Sequence, residues 1–143
     1  MRIIIIVFLV VFVVLQFFRP AKPPQGGSDK SITAYYAIPP AVQTILVNAC
    51  YDCHSNHTNY PWYTNIQPVG WLTYAHIRDG KTELNFDEFG AYSAKRQRNK
   101  LSSMREQVQS GKMPLASYTW LHPAARLTRD EKSQLLRWLE TAH

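Results

Sequence analysis

Cys50-Tyr51-Asp52-Cys53-His54 is the stretch of this chain whose residue types and spacing together specify a chemistry. Its two thiols are the only cysteines in 143 residues. Three positions apart, they stand about one turn from each other on a helix, which repeats every ~3.6 residues. That separation matches the two vinyl groups of a haem. Two thioether bonds would fix the porphyrin, and the adjacent His54 would turn its imidazole to the iron as proximal ligand. The expected cofactor is one covalent haem c. A thioredoxin-like redox pair would need a βαβ pattern around it, and none is visible. A structural zinc site needs a fourth ligand. His57 could join Cys50, Cys53 and His54, but that cluster would be cramped.

An iron held by His54 on one face offers its other face to a second ligand. Met113 is the leading candidate, in Gly111-Lys112-Met113-Pro114. A thioether there raises the reduction potential and makes a low-spin electron carrier. A Met-Pro step in a loop is an awkward place for a core gap-filler. His76 is the alternative distal ligand. Met104 is mid-helix and reads as core. His122, before Pro123, reads as a loop hydrogen-bonding residue. His57 is too near the attachment motif to reach the opposite haem face, and His143 is terminal and solvated.

These side chains need elements to position them. Val42, Ile45, Leu46 and Ala49 follow Pro39-Pro40 at helical spacing, which predicts a helix ending near Cys50. Residues 51–68 are rich in Asn, Pro, Tyr and Thr and read as loop. Residues 69–78 read as a short helix stopped by Asp79-Gly80. Leu101, Met104 and Val108 mark a longer helix within 92–109, with Ser110-Gly111 as its stop. Residues 112–127, with Pro114 and Pro123, read as an ordered loop. Thr128 with Glu131 forms a capping box for a last helix that aligns Leu135, Trp138, Leu139 and Ala142. No convincing alternating strand is present. The expected fold is all-α: a small cytochrome-c-like domain of three or four helices with long loops.

Ahead of it, Ile3 to Phe18 is apolar except for Gln16. Sixteen helical residues span roughly 24 Å, against a bilayer core of about 30 Å. Arg2 and Arg19 can snorkel at the ends. The residues after the run suit signal cleavage poorly. Residues 1–18 are therefore expected to be an uncleaved signal anchor, a single transmembrane helix. Residues 19–34 follow as linker and 35–143 as the haem-binding domain. The expected location is the inner (cytoplasmic) membrane, single-pass, with the haem domain on the periplasmic side.

Composition supports this division. Of 30 Ile, Leu and Val residues, 11 lie between Ile3 and Leu15, and residues 31–143 hold the other 19. So low an aliphatic content approaches that of disordered chains. The same region has 14 aromatic residues, and a bound macrocycle would supply the missing apolar centre. Its 12 Lys and Arg against 9 Asp and Glu leave +3, half of the chain's +6. Nucleic-acid binding is not expected, since no recognition motif accompanies so small a charge.

Further residues add to the pattern. Tyr60-Pro61-Trp62-Tyr63, Gln67-Pro68-Val69-Gly70-Trp71, Leu84-Asn85-Phe86, Met113-Pro114 and Leu121-His122-Pro123 follow the Cys-His motif, with Trp138 beyond. Together they resemble the small haem-binding domain family of bacterial c-type cytochromes, over roughly residues 35–142. The resemblance implies a monohaem helical domain exported to the periplasmic side. It implies thioethers at Cys50 and Cys53, His54 proximal and Met113 distal.

Trp62, Tyr63, Trp71 and Tyr74 could line the porphyrin edge or fill core. Pro61 or Pro68 could offer the carbonyl that orients His54. Lys95, Arg96, Arg98 and Lys100 read as a solvated helix start, with docking to an acidic partner as the functional alternative. Asn56-His57-Thr58 matches a glycosylation sequon by coincidence. The functional expectation is a membrane-anchored single-electron carrier working with redox partner proteins, not an enzyme. The alternatives are a haem sensor with an open distal site and a peroxidase-like enzyme.

Overall fold

The computed structural model describes residues 1–23 and 25–142. Among them are seven α-helices and no strand. In chain order these are α1 (Arg2–Leu15), α2 (Pro40–Ala49), α3 (Tyr51–His54), α4 (Val69–Glu83), α5 (Ala94–Gln109), α6 (Ala116–Leu121) and α7 (Arg129–Thr141). Short 3-10 turns occupy Ile32–Ala34, Trp62–Asn65, Phe86–Ala91 and Pro123–Ala125. The all-α expectation stands.

Local signals account for the three helices of the core. Pro40 opens α2, where its missing N–H costs nothing. Ser93 caps α5, its side chain accepting from the Arg96 N–H. In α7, Thr128 and Glu131 satisfy each other's backbone N–H groups in a complete capping box. Their apolar stripes meet: Val42, Ile45 and Leu46 of α2, Leu101, Met104 and Val108 of α5, and Leu135, Trp138 and Leu139 of α7. Phe86 and Phe89 plug the centre and are 1% and 0% exposed. Each such ring contributes about 1.5–3 kcal/mol of burial. Tyr51 stacks on Phe86 and Tyr36 meets Phe89 edge-on. Aromatic side chains therefore do part of the work that the few aliphatics leave undone. Ile32, inside the stretch read as linker, is also fully buried in this core. Trp138 Nε1 donates to the Ala37 carbonyl, so the last helix closes on the segment ahead of α2.

Three expectations are corrected. The first is the transmembrane helix: α1 has 14 residues, about 21 Å of helix. Among the described residues no helix is long and apolar enough to cross a membrane. Gln16, just past the end of α1, still bonds the Phe12 carbonyl through its side chain and also reaches a distant partner. Its side-chain amide donates to the Gln67 carbonyl and accepts the Gln67 N–H, at 3.2 and 2.9 Å. Trp71 Nε1 then takes the Phe18 carbonyl. With the span goes the expected single-pass inner-membrane location, with its periplasm-facing domain.

Second, Asp79-Gly80 does not end α4, which runs on to Glu83. Gly80 sits inside the helix with its bare Cα against the Cys53 backbone; a Cβ there would stand 2.6 Å from the Cys53 carbonyl oxygen. Third, the loops are more structured than their prolines suggest. Residues 51–68 hold α3 and one 3-10 turn, and residues 112–127 hold α6 and another.

Candidate haem site

The Cys-His motif sits where two helices meet. Cys50 terminates α2, and Cys53 and His54 lie on α3, which packs on α4. His54 Nδ1 lies 3.0 Å from the Leu84 carbonyl oxygen. A carbonyl can only accept, so Nδ1 carries the proton and Nε2 keeps its lone pair. Burial holds the imidazole pKa below its ordinary value, against the opposing pull of the Leu84 and Gly80 carbonyls. His54 is thus a neutral, oriented imidazole. Such a bond to the far nitrogen fixes the ring and raises its basicity.

The carbonyl comes from Leu84 and not from Pro61 or Pro68. The Pro61 carbonyl accepts from Thr64, and that of Pro68 from the Leu72 N–H. A buried polar knot keeps Leu84 in place. Asp87, 4% exposed, accepts the Asn56 N–H at 2.6 Å and faces His57 Nδ1 at 3.0 Å. Asn85 bonds Asn56, the Asp87 N–H and the Tyr92 hydroxyl. The residues after His54 and those after Leu84 are thereby joined.

Two adjoining cavities open beside the motif. One, about 340 Å³, is lined by Cys50, His54, Leu84, Phe86, Met104 and Met113, among others. The second, about 220 Å³, shares Cys50, His54 and Met113 and adds Cys53 and His76. Only together do they fall well within the scale of cofactor sites, and their lining is mostly apolar. Met113 arrives there through the end of α5. Gly111, at φ 72°, adopts the left-handed conformation that glycine tolerates. Its N–H bonds the Val108 carbonyl and that of Lys112 bonds Gln107, which is the Schellman pattern. The chain turns back, and Met113 joins the cavity wall.

The remaining histidines divide clearly. His76 lines the second cavity and a third, about 240 Å³, beyond it. His122 is tied down: Nδ1 donates to the Tyr118 carbonyl, so Nε2 accepts from the Tyr63 hydroxyl. His57 turns to Asp87, away from a zinc-like cluster, and among the described residues no group of three metal-ligating side chains gathers. His143 lies outside the described residues. Of the aromatic quartet, Trp62 is 75% exposed, Trp71 serves Phe18, Tyr74 stacks on Tyr60 and Tyr63 serves His122. None of the four lines the two cavities beside His54. In the basic run, Arg96 lies over the Tyr92 ring and Lys100 pairs with Glu83.

The thiols are not activated nucleophiles. Burial pushes Cys50 up to about 12 and Cys53 up to about 11, with neighbouring charge adding to both. Redox cysteines of the thioredoxin kind go the other way. One pH dependence follows for the haem-free chain. A thiol whose folded pKa exceeds its unfolded value stabilises the fold fully below the unfolded value, here 9.0. That stabilisation is lost as pH rises through 11 and 12. Haem-free protein should therefore hold its helical circular dichroism up to pH 9 and lose it progressively above. The Cys50→Ser, Cys53→Ser double variant should shift that loss to higher pH. An identical alkaline profile for both proteins would refute the assignment.

The family model of the haem-binding domain matches residues 10–141. No curated protein and no solved structure matches the chain. The donor set beside the cavities accords with that description. It comprises two thiols one turn apart, a neutral imidazole with a free nitrogen, and a thioether on the same walls.

Proposed function

The chain belongs to the haem-binding domain family, and from that premise we propose that it is a monohaem c-type cytochrome carrying single electrons between redox partner proteins. One observation carries the reading: Cys50, His54 and Met113 line both of the adjoining apolar cavities, with Cys53 on the second. In this reading Cys50 and Cys53 hold the haem by thioethers, His54 is the proximal ligand and Met113 the distal one. The haem supplies one-electron chemistry at its iron.

The protein's share is orientation and exclusion. Leu84 fixes the tautomer and angle of His54. The Asp87 knot keeps Leu84 from drifting. Phe86, Met104 and Leu127 line one cavity with apolar surface, and a dry, low-dielectric surround favours the less charged state of a redox centre. His–Met ligation raises the potential further. A peroxidase-like site would need an acid–base pair beside a vacant distal position. His122 is already committed to Tyr63 and Tyr118. A second reading, with His76 as distal ligand, has one observation behind it: His76 shares the second cavity with His54 and Met113.

The test is expression with a cytochrome c maturation system. Haem that stays with the chain through denaturing electrophoresis and acid–acetone extraction is the expected result. Haem fully extracted by that treatment would sink the covalent claim, while its spectrum before extraction would still report the axial ligands.

A further inference from the structure

The segment carrying Met113 leads into α6, a surface helix that buries none of its six side chains. Apolar packing therefore does little to hold it. Its backbone is continuous with the ligand: the N–H groups of Tyr118 and Thr119 bond the Leu115 carbonyl, two residues after Met113. At its other end Met113 is tied to α5, its N–H and that of Lys112 both bonding the Gln107 carbonyl. The arm beyond Met113 still needs a hold on the rest of the domain.

The contact that does so lands on the attachment motif. The Tyr118 hydroxyl donates to Asp52 Oδ2 at 2.6 Å. Asp52 stands between Cys50 and Cys53, and its other oxygen accepts the Asn59 N–H at 3.0 Å. The carboxylate is thus fixed from the attachment side before it receives the tyrosine. A short O–H to carboxylate bond is about twice as strong as a neutral one. Burial, then Asp52, raises the Tyr118 hydroxyl well above its ordinary pKa, so it remains a donor through the alkaline range. A second strut, Tyr63 to His122, holds the far end of α6 at 3.2 Å. The Tyr118 ring stacks on His122 at 4.1 Å, which aims the hydroxyl at Asp52.

We propose that Tyr118 is a positioning residue for the distal ligand: its hydrogen bond to Asp52 clasps the Met113 arm to the helix that carries the haem attachment. The proposal rests on the reading of Met113 as distal ligand. The haem iron would then be gripped from two sides by a single connected frame, with Asp52 common to both. Removing the hydroxyl frees the arm and weakens the hold of the thioether on the iron.

The test uses ferric holoprotein and azide, which competes with the thioether for the iron. In Tyr118→Phe, azide should bind about 10-fold more tightly, the factor expected for one lost hydrogen bond to a charged group. Asp52→Asn keeps an acceptor but loses the charge, and should gain about 3-fold on the same reasoning. The near-infrared thioether-to-iron charge-transfer band should fade with azide in step with these affinities. A merely structural role would lower the unfolding midpoint and leave azide affinity alone. Azide affinity within 2-fold of the parent in Tyr118→Phe, with the parent band present, would overturn the clasp alone. If Tyr118→Phe gives no holoprotein, Asp52→Asn decides by the same comparison. A parent protein without the charge-transfer band would remove the Met113 reading itself, and the clasp with it.

Discussion

Met113→Ala should abolish the ferric thioether charge-transfer band and lower the reduction potential by on the order of 0.1 V or more, within the roughly 0.8 V that axial ligands span. The sign follows from the donor. A neutral, weakly basic thioether favours ferrous over ferric iron, so its loss makes reduction harder. The size follows from the site, because Met113 is on the wall of both cavities that His54 lines. Met113→His should restore six-coordination without restoring the band or the potential. A redox titration with near-infrared spectra reads both. An unchanged band and potential in Met113→Ala would move the distal role to His76, which faces the second cavity.

Gly80→Ala should destabilise the protein by about 1–3 kcal/mol, the usual cost of overpacking. On helix propensity alone the same change would gain about 1 kcal/mol. The clash decides the outcome. The new Cβ would meet the Cys53 carbonyl oxygen at 2.6 Å and its Cβ at 3.3 Å. Backbone cannot swing aside as a long side chain can, so α3 and α4 must separate. α4 runs directly into Leu84, whose carbonyl orients His54. Covalent haem per chain and the urea midpoint should therefore fall together. Gly27→Ala is the control, since its Cβ would meet only ordinary contacts at 3.6 Å or more. A Gly80→Ala protein as stable and as fully loaded as the parent would refute the argument.

What could be read in the sequence was written locally. The stripes of α2, α5 and α7, the Thr128–Glu131 box and the Gly111 stop all depend on neighbours within a few residues. They appear in the structure as expected. The place of Met113, in a Met-Pro step just past the end of α5, is legible for the same reason. What was missed depends on distant partners. Gly80 in α4 is bare because Cys53, 27 positions earlier, lies against it. The carbonyl on His54 belongs to Leu84, 30 residues away, and any residue type supplies a carbonyl. The apolar run at the start extends to Phe18, but α1 stops at Leu15, and Gln16 just past it pairs with Gln67, 51 residues on. Its side-chain amide mimics a backbone edge, a role that hydropathy does not record. The signal for the Tyr118 contact was present only as a tyrosine and an aspartate 66 residues apart.

The bond from Trp138 to Ala37, across 101 residues, also sets an order of events during synthesis. The core of α2, α5 and α7 cannot close until α7 exists, because a contact between ends waits for both. From His54 to Trp138 there are 84 residues. At roughly 5–20 residues per second, that is on the order of 4–17 s. Throughout this interval Cys50 and Cys53 are made, but the elements that later half-bury them are incomplete. The thiols that the finished fold half-buries are more open to modification while the chain is still growing.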